Sequence, residues 1–171
     1  MKYFMLTLLL LFLSLQIWMK KIPKIKGIEQ DPAFLKWYDI QDIKLRKYNK
    51  TTLALSGKFI IKRQITNIKY SLKLGRKVGS SYLPIPLVTV NKADYCSFLE
   101  NPHIRPMMED MFNHTNLKYS CDHKPGEYQI SNYVPHIPSE LPPGDYRGEY
   151  SQYFEDECIG KIQYNIAWIE I

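Results

Sequence analysis

Residues 65–74, ITNIKYSLKL, alternate without a break: Ile68, Tyr70, Leu72 and Leu74 fall on one side, Asn67, Lys69, Ser71 and Lys73 on the other. Successive side chains of a strand point to opposite faces, so period two over this length predicts a half-buried strand. The stretch before it, TTLALSGKFIIK, repeats the pattern with Leu53, Leu55, Phe59 and Ile61 around Gly57. A glycine inside a strand predicts a bulge or the close approach of another backbone. Near the C-terminal end, CIGKIQYNIAWIEI sets Ile162, Tyr164, Ile166 and Trp168 against Lys161, Gln163, Asn165 and Ala167. All three stretches read as β.

Turn chemistry separates further strands. Gly75-Arg-Lys-Val-Gly79 predicts a hairpin-like step before an extended YLPIPLVTV. Pro125-Gly126 precedes EYQISNYV, and Pro142-Pro143-Gly144 precedes DYRGEYSQYF. Proline followed by glycine suits a type II turn, in which proline sets one φ and glycine supplies the positive one. Tyr146, Glu149, Tyr150 and Tyr153 belong to a strand whose register the pattern leaves open. Six to eight strands at this spacing predict an all-β sandwich or barrel. Alternation fails over Ala93–Glu100 and again over Pro106–Asn113, where Met107, Met108, Met111 and Phe112 are spaced one, three and four apart. That spacing is helical. Pro102 and Pro106 divide the stretch into two short pieces, so a mostly β chain carries one helical insertion, beginning at Cys96.

The first residues, MKYFMLTLLLLFLSLQIW, combine a basic start, an apolar run and a polar exit. These features predict a secretory signal peptide over residues 1–18, the run being shorter than the about 20 residues needed to span a bilayer. Cleavage is expected between Ser14 and Lys21, without an Ala-x-Ala-like site before Met19. Residues 19–37 then read as a basic, solvated leader, and residues 38–171 as one domain with enough material for a core. Removing the first 18 residues leaves 22 Lys and Arg against 17 Asp and Glu, a net of +5. A modest excess of this kind describes a slightly basic surface more simply than an anion-binding one. Two sequons, Asn49-Lys-Thr51 and Asn113-His-Thr115, agree with export as glycosylation sites.

Secretion also bears on Cys96, Cys121 and Cys158, an odd number in a setting that favours disulfides. Cys96–Cys121 closes a loop around the insertion, and such a crosslink is worth about 3.5 kcal/mol in the chain-entropy picture. Cys121–Cys158 would instead tie two strands, and Cys96–Cys158 is the least natural choice that spacing still permits. The first pairing is the expected one, with Cys158 free or intermolecular. No CxxC pair occurs, so metal binding by these cysteines is not expected. Nor is there an HExxH, a GxSxG elbow, a phosphate-binding loop or a dinucleotide glycine fingerprint. His103, His114 and His136 lie at no ligand spacing, and His123 in CDHKPG reads as an exposed loop residue rather than a pH-sensitive group. Glu155, Asp156 and Glu157 read as a solvated turn more readily than as a catalytic carboxylate pair. Thirteen Tyr, seven Phe and three Trp could fill a core or line an apolar gap between sheets. Methionines beside such a gap would adapt to varied ligands. Patterning does not separate a filled sandwich from a hollow one.

VNKADYCSFLENPHIRPMM, TNLKYSCDHKPGEYQISNYV and LPPGDYRGEYSQYF, taken together, resemble a family of small secreted insect proteins. That family is related to the MD-2-like lipid-recognition (ML) superfamily, which includes the ganglioside activator protein and the sterol carrier of lysosomes. One branch is the chemosensory protein B group of fly taste organs. Order and spacing over about residues 85–155 carry the resemblance, with looser agreement over 38–84. It implies an immunoglobulin-like two-sheet β-sandwich, opened along one edge, with a hydrophobic cavity for a lipid or hydrocarbon. It also implies the Cys96–Cys121 link, since Asp94-x-Cys96 and Cys121 match the family's paired cysteines. Relatives commonly carry a further cysteine near the domain start, and none precedes Cys96 here, which leaves Cys158 without that counterpart. Asp122 stands where a proline is usual.

The combined reading is a secreted, non-enzymatic binding protein for lipids or other hydrophobic small molecules, with a role in pheromone or taste perception. No cofactor, metal or nucleic acid is expected. Leu55, Phe59, Ile68, Tyr70, Leu72, Ile162, Tyr164, Ile166 and Trp168 are expected to form the cavity wall. Phe98, Leu99, Met107, Met111 and Phe112 are expected to form a rim or flexible lid, pinned at one end by the disulfide. The rival reading is a solid, ligand-free interaction module that binds a receptor or membrane surface. A weaker third is a hydrolase assembled from the acidic and histidine side chains.

Overall fold

The computed structural model describes residues 21–50, 52–136 and 141–170. The expected signal peptide and Thr51 of the first sequon lie outside the described residues. Ten strands among them pair antiparallel in two sheets. One sheet runs β1 (Lys21–Gln30), β10 (Glu157–Glu170), β9 (Asp145–Phe154), β5 (Lys69–Val78) and β6 (Ser81–Pro84), with β7 (Val90–Asp94) sharing the β5 edge. In the other, β4 (Leu53–Ile61) is central, with β8 (Gly126–Tyr133) along one edge and β2 (Tyr38–Asp39) and β3 (Lys44–Lys47) along the opposite one. Between β7 and β8 come α1 (Tyr95–Glu100) and α2 (Arg105–Asn113). The expected two-sheet all-β sandwich with a short helical insertion is therefore the fold.

The alternating stretches become β4, β5 and β10. Tyr70 and Leu74 of β5 are buried and Lys69 and Lys73 exposed. Ser71, on the polar side of the alternation, is also buried, because the bulge where β7 joins β5 places Lys92 over it and its hydroxyl accepts the Lys92 N–H at 2.9 Å. Gly57 realises both expectations made for it. The β4–β8 register shifts between Leu55 and Gly57, and a Cβ there would strike the Asp42 carbonyl in the turn before β3.

Several local expectations need correction. Residues 21–30, assigned to a solvated leader, form β1 and pair with the last strand from Gln30↔Ile162 to Lys21↔Glu170. Ile25 and Ile28 are three apart, which hides the strand from a period-two reading. The register shift between Ile25 and Gly27 restores both to one face, opposite Ile166 and Tyr164. YLPIPLVTV is not one extended segment, because Pro86 opens a 3-10 turn over Pro86–Val88 between β6 and β7. The hairpin step falls after Val78, at Gly79 with φ +60°, and Gly75 lies within the β5–β6 ladder. Neither proline–glycine pair makes a type II turn: Gly126 starts β8 opposite Ile61 without a positive φ, and Gly144 sits near the extended region at φ 158°.

The helical insertion breaks where the prolines put it, though Pro106 starts α2 rather than ending α1. Asp94 caps α1 by accepting the Ser97 N–H at 2.7 Å, which holds its carboxyl below the usual carboxylate range. The Asp94-x-Cys96 spacing thus places a cap directly before the helix that carries the cysteine. Cys96 is joined to Cys121, Cα to Cα 5.2 Å apart, and Cys158 is free. Beside the link, the Tyr119 hydroxyl donates to the Leu99 carbonyl at 2.6 Å. The largest buried cluster runs from Trp37, Tyr38 and Ile61 through Ile68 and Ile159 to Leu99, Met108 and Phe112. Burying a side chain of this size contributes about 1.5–3 kcal/mol, so the insertion is part of the core and not a loose flap on it.

Candidate functional site

The sheets do not close on each other completely. A cavity of about 470 Å³ lies between them, walled by β4 and β8 on one side, by β5, β9 and β10 on the other, and by α1 and α2. Its volume falls in the range of about 300–1,000 Å³ usual for small-molecule sites. No Lys, Arg, Asp or Glu lines it.

Two bulges shape the wall. Ile130 and Tyr133 of β8, three residues apart, are both buried on the cavity side because one extra β8 residue falls between Tyr133↔Leu55 and Ile130↔Gly57. The same device brings Ile28 of β1 beside Tyr164. Of the residues expected in the wall, Leu55 and Phe59, Tyr70 and Leu72, and Ile162 and Tyr164 all line the cavity. Phe98, Met107, Met111 and Phe112, expected at a rim, line it as well. Four expected residues do not. Ile68 and Leu99 are 1% and 2% exposed, packed in the core behind the wall. Ile166 and Trp168 reach a separate cluster with Leu74, Tyr146 and Ile25, because β10 is long enough to continue past the cavity. The expectation of a flexible lid is corrected too: Leu99, Met108 and Phe112 are buried, whereas Met107 and Met111 are half-buried.

His123 is a second correction. Far from being an exposed loop residue, it is 6% exposed and lines the cavity. Its backbone exchanges hydrogen bonds with Ile65, at 2.9 and 3.0 Å, two residues after Cys121. Its ring stacks on Phe112 with centroids 5.9 Å apart and meets the edge of Tyr95 at 6.1 Å. Burial pulls its pKa below the ordinary histidine value, partly opposed by the Asp122 carboxylate. The imidazole is therefore neutral at pH 7. The signal available in the sequence was proximity to Cys121, which tethers this segment to α1.

The polar groups in the wall are nearly all tyrosines. Tyr38, Tyr70, Tyr95 and Tyr150 line the cavity, and burial raises the pKa of each hydroxyl, so all stay protonated donors. Tyr70 sits between Phe98 at 4.7 Å and Tyr150 at 6.2 Å between centroids. On β9, Tyr150 and Gln152 share the cavity face, and the Gln152 Nε2 donates to the Tyr150 hydroxyl at 3.1 Å. The strand was legible, but its register was not, so neither residue was anticipated in the cavity wall. Tyr38, Ile40 and Ile43 were missed because β2 is only two residues long.

The expected solvated turn is observed: Glu155, Asp156 and Glu157 are exposed, with Asp156 paired to Lys69 and Lys92 and Glu157 to Lys36. Asn49 and Asn113 are both exposed. No helix among the described residues is long and apolar enough to cross a membrane.

Part of the chain matches a family model, and its fold has a solved neighbour. A family model described as "Protein of unknown function (DUF1091)" matches residues 67–148, a span that includes both helices and both disulfide cysteines. No curated protein matches the chain. Among solved structures it is similar to a Niemann-Pick type C2 protein from Japanese carpenter ant, at 15% identity over 87% of this chain and 93% of that one, with a TM-score of 0.30. Backbones that superpose no better than this transfer neither a residue nor a ligand from one to the other.

Proposed function

We propose that this chain is a secreted, non-enzymatic carrier that takes up a lipid or another hydrophobic small molecule between its two sheets. The observation that carries the reading is the uncharged, largely apolar cavity walled by both sheets and the disulfide-tied helices. Transfer of apolar surface from water supplies about 25 cal/mol per Å² buried, and with few directional contacts it gives broad selectivity. The resemblance of the 85–155 motifs to ML-related insect proteins supports the same reading. It also supports the finer one, presentation or buffering of hydrophobic chemosensory signals. Export is supported by the signal-peptide features of residues 1–18, the sequons and the disulfide.

Native mass spectrometry of the protein secreted from insect cells tests this, with a repeat under denaturing conditions without reductant. An additional mass that leaves on denaturation is the expected result, and the denatured mass counts glycans and locates cleavage. Identical native and denatured masses, together with no saturable uptake of the neutral dye N-phenyl-1-naphthylamine, would overturn the carrier reading and leave the ligand-free interaction module in its place.

A further inference from the structure

Two half-buried side chains on β9 place a bonded pair of polar groups in the cavity wall. Gln152 and Tyr150 face the cavity and bond to each other, 3.1 Å apart. Whichever way the amide is turned, that single bond leaves the pair with an unused donor and an unused acceptor. Among the described residues no other side chain bonds to either. Gly160 pairs with Gln152 across the strands, and the Tyr38 ring lies over that glycine, its buried hydroxyl without a hydrogen-bond partner. Three polar groups therefore gather on one patch of the β9–β10 surface, beside Leu72 and Ile162, which flank Tyr150 in the ladder. Polar groups placed in an enclosed apolar site are costly unless something bonds to them.

Resting on the carrier reading, we propose that the cavity selects hydrophobic molecules bearing one neutral oxygen function, an alcohol or a ketone or ester carbonyl, which docks on Tyr150 and Gln152 while its hydrocarbon lies along the methionine and aromatic wall. The tyrosine hydroxyl donates to the ligand oxygen, and the amide accepts from an alcohol or donates to a carbonyl. Carboxylates are excluded from this seat because no cationic side chain lines the cavity and His123 is neutral there. A site built to hydrogen-bond a substrate oxygen rejects the analogue lacking it, since its own groups are then left unpaired.

The test is displacement of N-phenyl-1-naphthylamine from the intact, disulfide-bonded protein at pH 8 by four ligands of equal chain length: decane, 1-decanol, 2-decanone and decanoate. Decanol and decanone are expected to bind about tenfold tighter than decane and decanoate, which is about 1.4 kcal/mol. Gln152→Leu should bring decanol within twofold of decane. Tyr150→Phe, which keeps the ring packing, should lose a similar part of the preference, with the thermal midpoints reporting that both variants are folded. Equal binding of decane and decanol by the unmodified protein, decanoate binding as tightly as decanol, or a preference that survives both substitutions would each overturn the polar seat while leaving the carrier intact. Failure of every ligand to displace the dye would overturn both.

Discussion

Replacing Phe112 with Ser separates a packed wall from a loose lid. Phe112 is 5% exposed, its ring 5.9 Å from His123 and 5.2 Å edge-on to Tyr119, within the largest buried cluster. Truncating a buried Phe costs about 3–5 kcal/mol, the larger values arising where neighbours cannot close the void. Here the void opens into an existing cavity, so collapse is not available and a loss of about 4 kcal/mol is expected. With a urea slope of about 2 kcal/mol per M, the midpoint should fall by about 2 M. Met107 also lines the cavity but is half-buried, so Met107→Ser should cost only about 1 kcal/mol. Urea unfolding followed by circular dichroism, with dye titration on each variant, reads both effects. Met107→Ser should keep its fold and lose severalfold in dye affinity, whereas Phe112→Ser should lose stability first. A Phe112→Ser protein with an unchanged urea midpoint and weakened dye binding would refute the reasoning, because α1 and α2 would then form a flap independent of the core.

Serine at Cys121 removes a link that closes 25 residues, with an expected loss of about 3.5 kcal/mol; a midpoint unchanged in urea would show that packing alone holds α1. Ala at Asp94 deletes the α1 cap and should cost about 1 kcal/mol, whereas Asn should retain most of it, as thermal unfolding of the pair would show. Gly57→Ala forces a Cβ against the Asp42 backbone at a φ of +152° and should destabilise by about 2 kcal/mol; a thermal midpoint within a degree of the parent would contradict the close approach. His123 is held below its ordinary pKa by burial, so between the unfolded value of about 6.5 and the lower folded one, only the unfolded chain takes up the proton. Stability therefore falls as pH drops through that window and levels off below it, and His123→Phe should flatten the profile; an identical slope in the variant would assign it to other groups.

Much of this architecture is readable without coordinates. Period two marks β4, β5 and β10, although Leu53 is exposed and Ser71 and Ala167 are buried against it; the helical spacing of Met107, Met108, Met111 and Phe112 marks α2, and Gly57 announces both a bulge and a close neighbour. These are local properties: backbone geometry alternates the side chains, and a missing Cβ registers at a single position. Where the period is interrupted, strand β1 escaped notice and the facing of the β8 side chains stayed hidden. Ile25 and Ile28, and likewise Ile130 and Tyr133, share a face only because a bulge absorbs the odd residue. A bulge needs a partner strand to exist, so a segment alone suggests one, as Gly57 does, without fixing which residues it brings to one face.

The cavity belongs to the same class of fact. Ile166 and Trp168 follow the same alternation as Ile162 and Tyr164, yet one pair enters a packed cluster and the other borders open space. His123 is carried from an apparent loop into the wall by its neighbour's crosslink and by bonds to Ile65. The sequence by itself determined the strands and the helical insertion whose periodicity is local, and the apolar side of each. Whether the apolar faces meet or leave a gap was decided only in three dimensions, because it depends on summed side-chain volumes from segments far apart in the chain, set against the separation of the two sheets.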